Sequence, residues 1–269
     1  MRITLVGPCN PIDLLSYLDE VSRDQANNLD GNRGVPVSQL AKELVELGHN
    51  VSIVTLSSKV PNKCVEILTG KNLKIILVGT SRNYKTQILS AYRQEIRFLS
   101  SQISSIESQV INAHWQYEYA LAALKVDKNA FVTVHDSPLG VFKAYRDKYH
   151  FLRMILGFYV GLRSRKMIFV SPYLQKSYKY IRWFRSADSI IPNSATIFHG
   201  STLLSHNTNY LKVICISQSG KLKNIQVLLA SWEQVHQLYP NSKLLLVGNG
   251  IDLEIKKFTE DAERISIES

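Results

Sequence analysis

Cysteine, long apolar runs and repeats are scarce in this sequence. Its 269 residues include only three cysteines, Cys9, Cys64 and Cys215, which are scattered without the spacing of a zinc site. A disulfide-stapled secreted domain is therefore excluded, and we expect reduced thiols, no bound metal and a cytoplasmic protein. No low-complexity tract and no repeat of roughly 20–50 residues is visible, which excludes solenoid architectures.

Long hydrophobic stretches are also missing. The longest apolar run covers residues 154–162, whereas a helix that crosses a membrane needs about 20 apolar residues. The apolar residues that follow Met1 and Arg2 form a run too short for a signal peptide and suit a first strand. We therefore expect no transmembrane segment.

Basic charge is concentrated in one segment. Residues 143–185 hold eleven lysines and arginines against one acid, Asp147, so they account for the whole net charge of +10. Aromatic residues alternate with these cations around a short apolar centre. Such a segment could lie on an anionic membrane surface, or it could be a solvated helix face. Nucleic-acid binding is not expected, because no nucleic-acid motif accompanies the charge. The membrane interpretation assigns a patch to Arg153, Arg163, Arg165, Lys166, Arg182 and Arg185.

Apolar runs alternate with helical patterns through residues 1–200. A helix at residues 37–49 and a long amphipathic helix at residues 84–107 are predicted, and a polar loop of about 25 residues is expected after the first strand. Strands are predicted at residues 2–7, 50–56, 73–79, 110–114, 130–135 and 166–171, with shorter segments at 189–194 and 196–200.

The pattern restarts after a polar, turn-rich stretch at residues 201–210, which predicts a linker. Residues 211–269 would then form a second, partial domain with strands at 211–217, 243–248 and 264–268 and helices at 224–240 and 252–263. Strand–helix alternation indicates α/β domains with parallel sheets covered on both faces. Such sheets bind ligands at the carboxyl ends of their strands, and two of them face to face would form a cleft.

Two histidines stand at predicted strand ends. His114 closes the strand at residues 110–114, and His135 closes the strand at residues 130–135. Imidazoles at this edge could bind sugar hydroxyls or stabilise charge at a reacting carbon, although structural histidines are equally compatible with the pattern. Asp136 could orient His135 or cap the next helix.

Glycines and lysines precede several predicted helices. Gly31 and Gly34 precede the first helix, where backbone N–H groups and the helix dipole could meet an anion or a sugar; a flexible loop is the alternative. Lys221 and Lys223 follow Gly220 and precede another predicted helix. They could bind a diphosphate, or they could simply be solvated.

The turn at residues 247–252 contains Gly248 and Gly250. It lacks the third glycine of the dinucleotide fingerprint, because Leu253 stands there, and it lacks the lysine of a P-loop. By itself the turn is a weak indication of phosphate binding.

Together, these stretches resemble the bacterial family-4 retaining glycosyltransferases, which have the GT-B architecture of two Rossmann-like domains. The glycine loop and helix at residues 31–56, the His-bearing strand end at 110–124, the His-Asp segment at 130–137 and the donor-binding start at 219–250 appear in the family's order. The opening GPCNP is similar to a subgroup of polysaccharide transferases.

The resemblance implies a hexosyltransferase-like enzyme that moves a sugar from a nucleotide-sugar to an acceptor hydroxyl with retention. Gly34 would lie against the donor diphosphate or sugar, His114 would bind the donor sugar, His135 would lie beside the acceptor, and Lys223 would bind the diphosphate. The nucleotide-sugar is a substrate, so no cofactor is implied. A glycan or lipid-linked acceptor at the inner face of the cell membrane is expected.

Two departures separate this sequence from the family's pattern. Ser217-Gln218-Ser219 stands where the family usually has Gly-Arg-Leu, so Gln218 supplies a hydrogen bond without a charge. The family's Glu-x7-Glu segment and C-terminal helices come after the point where this sequence stops, which predicts an incomplete second domain.

Three functional hypotheses remain open. The first is a retaining glycosyltransferase of surface polysaccharide or glycolipid assembly. The second is a truncated, catalytically incompetent transferase that serves as a membrane or acceptor binding module. The third is a different GT-B enzyme, such as a nucleotide-sugar epimerase, which would convert the donor without an acceptor.

Overall fold

The computed structural model describes residues 1–29, 34–80, 88, 90–182, 188–194, 211–248, 250–251 and 267–268. The chain separates into two compact units, Met1–Ile197 and Phe198–Ser269. The predicted linker at residues 201–210 lies outside the described residues, as do the predicted strand at 196–200 and the predicted helix at 252–263.

Strands and helices alternate through most of the first unit, as the periodicity predicts. Its strands are β1 Arg2–Val6, β2 Asn50–Ser57, β3 Val65–Gly70, β4 Leu73–Gly79, β5 Val110–His114, β6 Phe131–Val134, β7 Lys166–Phe169 and β8 Ser189–Ile190. Its α-helices with described bounds are α1 Glu20–Ala26, α2 Val35–Glu46, α3 Arg93–Ser104, α4 Glu118–Val126, α5 Pro138–Tyr145, α6 Lys148–Arg163 and α7 Pro172–Arg182, and a 3-10 helix covers Pro11–Tyr17.

The described strands of the first unit form one sheet in the order β3-β4-β2-β1-β5-β6-β7-β8. Every neighbouring pair is parallel except β3 and β4. Apolar side chains cover both faces: Val37 and Ala41 of α2 pack on one face, and Leu99 of α3 and Ala123 of α4 pack on the other. The α/β class predicted from the sequence is confirmed.

Sequence periodicity missed the antiparallel strand β3. Val65–Gly70 pairs with β4 in a hairpin, and its side chains are mostly exposed. A strand at the edge of a sheet can be mostly exposed, and Leu68 is the buried residue of β3. The alternation of apolar and polar residues that indicates a half-buried strand is therefore absent from this segment.

The polar loop predicted after β1 contains two short helices. Asn10 caps the 3-10 helix through a bond from the backbone N–H of Ile12, and Asp19 caps α1 through a bond from the N–H of Ser22. Each helix is only seven residues long, which is too short to show a clear 3.6-residue period. The expectation of a polar loop of about 25 residues without helices was therefore wrong.

The long helix predicted at residues 84–107 is interrupted at Ala91 and Tyr92; residues 88 and 90 are helical, and residues 84–87 and 89 lie outside the described residues. α3 begins at Arg93 and ends at Ser104. The backbone of Ala91 and Tyr92 has left-handed φ angles of 46° and 58°, and two successive residues of this kind prevent a helix from continuing.

The second unit contains a smaller parallel sheet. Its described strands β9 Lys212–Ile216, β10 Lys243–Val247 and β11 Ile267–Glu268 lie in the order β11-β10-β9. Helix α8, Ile225–Leu238, packs Leu229 and Trp232 against Leu244 and Leu246 of the sheet.

Candidate functional site: a histidine pair at the carboxyl edge of the first sheet

His114 and His135 lie side by side at the carboxyl ends of β5 and β6. These two strands are parallel neighbours, so their ends meet at one edge of the sheet, and Nδ1 of His114 lies 2.9 Å from Nε2 of His135. The backbone of Gly7, just after β1, leaves no room for a side chain, because a Cβ there would approach the Cβ of His114 to 2.9 Å. The structure thus brings together the two predicted histidines.

Trp115 holds His135 from the other side. Its indole stacks on the His135 ring with the centroids 4.2 Å apart. Trp115 has a left-handed φ of 67°, and its backbone N–H donates to the carbonyl of Thr133 on β6. This turn of the chain after β5 places the indole over the imidazole.

Both imidazoles are neutral at physiological pH. Burial lowers the pKa of His114 to about 3, with a smaller repulsion from His135, and burial lowers the pKa of His135 to about 4. Each neutral ring carries one N–H, so the contact admits two tautomer arrangements. In both of them Nε2 of His114 is buried without a protein partner, which leaves one polar atom for a ligand.

Asp136 does not cap the following helix or bind His135. Its Oδ1 accepts hydrogen bonds from the Tyr117 hydroxyl, at 2.6 Å, and from the side-chain amide of Gln116. Ser137 caps α5 instead, by accepting a bond from the N–H of Gly140. Gln116 and Tyr117 are site residues that sequence reasoning missed, although their position directly after a strand end that carries a histidine could have indicated them.

Gly34 serves a packing role at the start of α2. A Cβ at this position would come within 1.7 Å of the carbonyl oxygen of Pro8, in the loop after β1. Only glycine therefore lets α2 begin this close to the carboxyl edge of β1. Contact of Gly34 with a donor stays a prediction, and Gly31 lies outside the described residues.

The first turn of α8 forms a pocket in the second unit. Gly220, Lys221 and Asn224 line it, together with Ile225 and Gln226. Asn224 precedes α8 with a left-handed φ of 51° and makes no side-chain cap bond, so its side chain does not accept from the first N–H groups of the helix. Of the two lysines considered in the sequence, Lys221 lines this pocket.

Gly248 and Gly250 allow two loops to pack tightly. A Cβ on Gly248 would approach the carbonyl oxygen of Ser217 to 1.6 Å, and one on Gly250 would approach the hydroxyl of Ser219 to 2.6 Å. These contacts join the loops that follow β9 and β10, and they leave Gln218 exposed between the two serines.

Two of the six cations assigned to a membrane patch are not on the surface. The Arg182 side chain is 2% exposed and pairs with Asp188, and the Arg153 side chain is 17% exposed, lies 3.7 Å over the ring of Tyr117 and pairs with Glu118. Their assignment to an exposed patch was wrong, because each has a buried carboxylate partner.

The remaining cations of that patch lie away from the histidines. Arg163 ends α6, while Arg165 and Lys166 lie at the start of β7. β7 runs parallel to β6, so its start lies at the edge opposite the histidine pair. Arg185 lies outside the described residues.

No cluster of three metal-ligating side chains occurs in the described part of the chain. The acids that follow β5 and β6, Glu118 and Asp136, are engaged by Arg153 and by Gln116 and Tyr117. The expectation of no metal stays a prediction.

The buried histidine pair should make the stability of the protein depend on pH. In the unfolded chain both imidazoles take up protons near pH 6.5, whereas in the folded protein they do so only near pH 3 and 4. The unfolded state therefore binds more protons between these values, and the free energy of unfolding should fall by up to about 1.4 kcal/mol per histidine for each pH unit below 6.5. Urea unfolding between pH 7 and 5 measures this slope.

A His114→Asn, His135→Asn double variant is the control for that experiment. It should show a flatter dependence over the same pH range, because asparagine does not titrate. Equal slopes for the double variant and the wild-type protein would contradict the assignment of two depressed pKa values.

Comparisons with solved structures show what the fold is similar to. Sucrose-phosphate synthase from Thermosynechococcus elongatus aligns with a TM-score of 0.64 and 13% identity, over 99% of this chain and 70% of that one. An α,α-trehalose 6-phosphate synthase from Burkholderia multivorans aligns with a TM-score of 0.63 and 13% identity, over 99% of this chain and 72% of that one. At these identities the likeness establishes the fold, and the GT-B-like fold predicted from the sequence is confirmed.

The sequence comparisons identify the family. No curated protein matches the sequence. A sequence model of Glycosyltransferase Family 4, however, matches residues 34–196, which is more than half of the chain and includes both histidines. The resemblance drawn from the motifs is thereby confirmed, and the chain belongs to Glycosyltransferase Family 4.

Proposed function

We propose that this glycosyltransferase transfers a sugar from a nucleotide-sugar to an acceptor hydroxyl with retention of anomeric configuration. The observation that carries the proposal is the neutral His114–His135 pair at the carboxyl edge of the first sheet, with one buried nitrogen left for a ligand. Carboxyl ends of parallel strands are where α/β proteins bind their ligands.

The histidines are suited to binding hydroxyl groups rather than to moving protons. Their pKa values of about 3 and 4 lie too far below neutrality for efficient general acid catalysis. A neutral imidazole that is fixed by a neighbour instead offers a hydrogen bond of defined direction. We assign His114 to the donor sugar and His135 to the acceptor side.

Retention is proposed from the resemblance to the family-4 retaining glycosyltransferases, and the state of the neighbouring carboxylates bears on the route by which it would be reached. A double displacement needs a free carboxylate nucleophile, but Asp136 accepts bonds from Gln116 and Tyr117 and Glu118 is paired with Arg153. A single displacement on the face of the leaving group is then favoured, in which the new sugar–oxygen bond forms as the bond to the diphosphate breaks. The acceptor proton passes to the departing diphosphate.

The second unit supplies the donor diphosphate site in this proposal. Charge grows on the diphosphate as the sugar–oxygen bond breaks, and fixed cations and helix-end N–H groups stabilise such charge. The pocket at the first turn of α8 offers both, with Lys221 at its wall. Gln218 at the end of β9 would add an uncharged hydrogen bond, and no cofactor takes part.

The setting that we propose is the assembly of a surface polysaccharide or glycolipid at the cytoplasmic face of the cell membrane. The acceptor would be a glycan or a lipid-linked saccharide. This part of the proposal rests on the GPCNP opening and on the basic segment at residues 143–185.

A binding module without turnover is the second candidate. It is favoured by one observation, the replacement of the family's usual arginine by Gln218, which removes a charge from the diphosphate site. Binding of donor or acceptor without any transfer would identify this candidate.

Binding of a nucleoside diphosphate tests the donor site directly. Uridine, adenosine and guanosine diphosphates are titrated into the full chain by calorimetry, and at least one should bind. Lys221→Ala should weaken that binding by roughly 10–100-fold, because a hydrogen bond to a charged group contributes about 1.5–3 kcal/mol.

Lys243→Ala is the matched control for that titration, because Lys243 begins β10 and thus lies at the opposite edge of the same sheet. It should leave binding unchanged. Lys223→Ala decides whether the neighbouring lysine contributes. A lack of binding by all three nucleotides, or equal binding by the Lys221 variant, would contradict the proposed donor site.

A further inference from the structure

Helix α6 presents its apolar side to solvent and its central charge to the interior. Four outward residues, Phe151, Ile155, Tyr159 and Leu162, are 47%, 46%, 48% and 52% exposed. Arg153 of the same helix points inward, where it pairs with Glu118. A surface helix ordinarily has the reverse arrangement, with its polar face in water. We refer to the four outward residues as the α6 stripe.

The α6 stripe is a continuous surface. Its members are spaced by four, four and three residues, so they lie on one face of the helix. The opposite face is fixed by close packing: a Cβ on Gly157 would approach Pro138 to 2.6 Å, and one on Gly161 would approach the Tyr178 ring to 3.0 Å. The orientation of the helix is therefore set by its buried side.

Neighbouring helices extend the apolar surface. Phe142 of α5 packs against Phe151 with the ring centroids 5.5 Å apart. Leu139 of α5 and Tyr173 of α7 are also exposed. The helices α5 and α7 both pack against α6 in the first unit.

The surroundings of the α6 stripe are cationic. Asp147 is the one acid among residues 138–182, and its carboxylate is taken by His150. The exposed cations of the same three helices and of the C-cap of α5 are Lys143, Arg146, Lys148, Arg163, Lys176 and Lys179. An apolar centre with a cationic rim is complementary to a surface that offers acyl chains below negative headgroups.

We propose that the α6 stripe docks the protein on an anionic membrane surface, with α6 lying in the plane of the interface. α6 has 16 residues and is thus about 24 Å long. In the part of the chain that the structure describes, no helix is long and apolar enough to cross a membrane. Docking would bury the outward side chains among the headgroups while the lysines and arginines contact the phosphates.

A second copy of the chain is a poorer occupant for this surface. A two-fold interface brings the same patch of both subunits together, which would oppose one cationic rim to the other. Anionic lipid has the complementary charge. The proposal deepens the membrane setting given under the proposed function, but it requires no turnover, so its failure and the failure of sugar transfer are distinguishable.

Vesicle sedimentation tests the proposal with the full chain. Vesicles of phosphatidylcholine with about one-third phosphatidylglycerol should bind the protein, whereas vesicles of phosphatidylcholine alone should bind it at least tenfold more weakly. An Ile155→Gln, Tyr159→Gln double variant should lower binding to the anionic vesicles at least tenfold. Arg163→Gln should lower it about fivefold, because each cation near the surface contributes that much to partition.

A Val227→Gln, Leu238→Gln double variant is the matched control. Both residues are exposed apolar positions on α8 of the second unit, so the control removes the same kind of side chain elsewhere and should bind like the wild-type protein. Circular dichroism and thermal unfolding establish that all variants are folded.

Three outcomes would overturn the proposal. The first is no binding of the wild-type chain to anionic vesicles. The second is equal binding by the α6 variant, or equal binding to neutral vesicles. The third is a wild-type protein that does not bind vesicles and that light scattering shows to be a dimer, together with an α6 variant that is a monomer. The α6 stripe would then be a protein interface.

Discussion

His114→Ala is expected to lower kcat/KM for sugar transfer by about 10²–10³-fold, the cost of losing one preorganised hydrogen bond at a reacting centre. Nε2 of His114 is buried and has no protein partner, so the proposed donor sugar would lose the group that fixes its position. His135 would also lose the neighbour whose Nδ1 lies 2.9 Å from its Nε2. Initial rates at saturating and limiting donor separate the effects on kcat and KM.

His150→Ala is the matched control for this experiment. His150 contacts Asp147 at the start of α6, well removed along the chain from either strand end, and its replacement should leave transfer unchanged. The unfolding free energies of both variants show how much of any loss comes from instability.

The pH profile of transfer distinguishes hydrogen bonding from proton transfer. Both imidazoles stay neutral above about pH 4. The His114 variant should therefore transfer sugar more slowly than the wild-type protein by the same factor at every pH between about 6 and 9. Loss of a limb near neutrality would show that His114 is a general acid or base. Unchanged activity would show that the histidine pair is structural.

Arg182→Met is expected to lower the free energy of unfolding by about 3–5 kcal/mol, because it leaves the buried carboxylate of Asp188 without its cationic partner. Nε of Arg182 donates to Asp188 at 2.6 Å, and its Nη1 donates to the carbonyl oxygen of Ser164 at 2.8 Å. These bonds hold the end of α7 against the link between α6 and β7. Urea unfolding at pH 7 measures the loss.

Arg165→Met provides the comparison for Arg182. Arg165 is exposed and donates one bond, to the side chain of Asn129 at 3.1 Å, so its loss should change stability by less than about 0.5 kcal/mol. If Arg182→Met left stability unchanged and weakened vesicle binding, the assignment of Arg182 to a membrane surface would be right after all.

The histidine pair could be predicted from the sequence because its position follows from topology. Apolar runs locate the strands, parallel strands end at one edge, and a histidine directly after such a run therefore lies at that edge. The stacking of Trp115 on His135 could not be predicted, since it depends on the left-handed turn at Trp115.

The basic residues show that a sequence pattern does not predict which charged side chains are buried. A run of lysines and arginines has the same pattern whether each cation meets water or a carboxylate. Arg153 pairs with Glu118 on α4, and Arg182 pairs with Asp188 just before β8. Only the folded structure brings each pair together. The α6 stripe was hidden for the same reason: periodicity shows that a helix has an apolar face, but not which face is turned outward.

Donor-dependent transfer by the purified full chain is the measurement that tests the proposed function most directly. Labelled nucleotide-sugars are incubated with and without a lipid and glycan extract, and the anomeric configuration of the product is read by NMR. A product that requires the extract and keeps the configuration of the donor is the predicted result. Conversion of the donor without acceptor would indicate an epimerase, and the absence of any product with every donor would contradict catalysis by this chain.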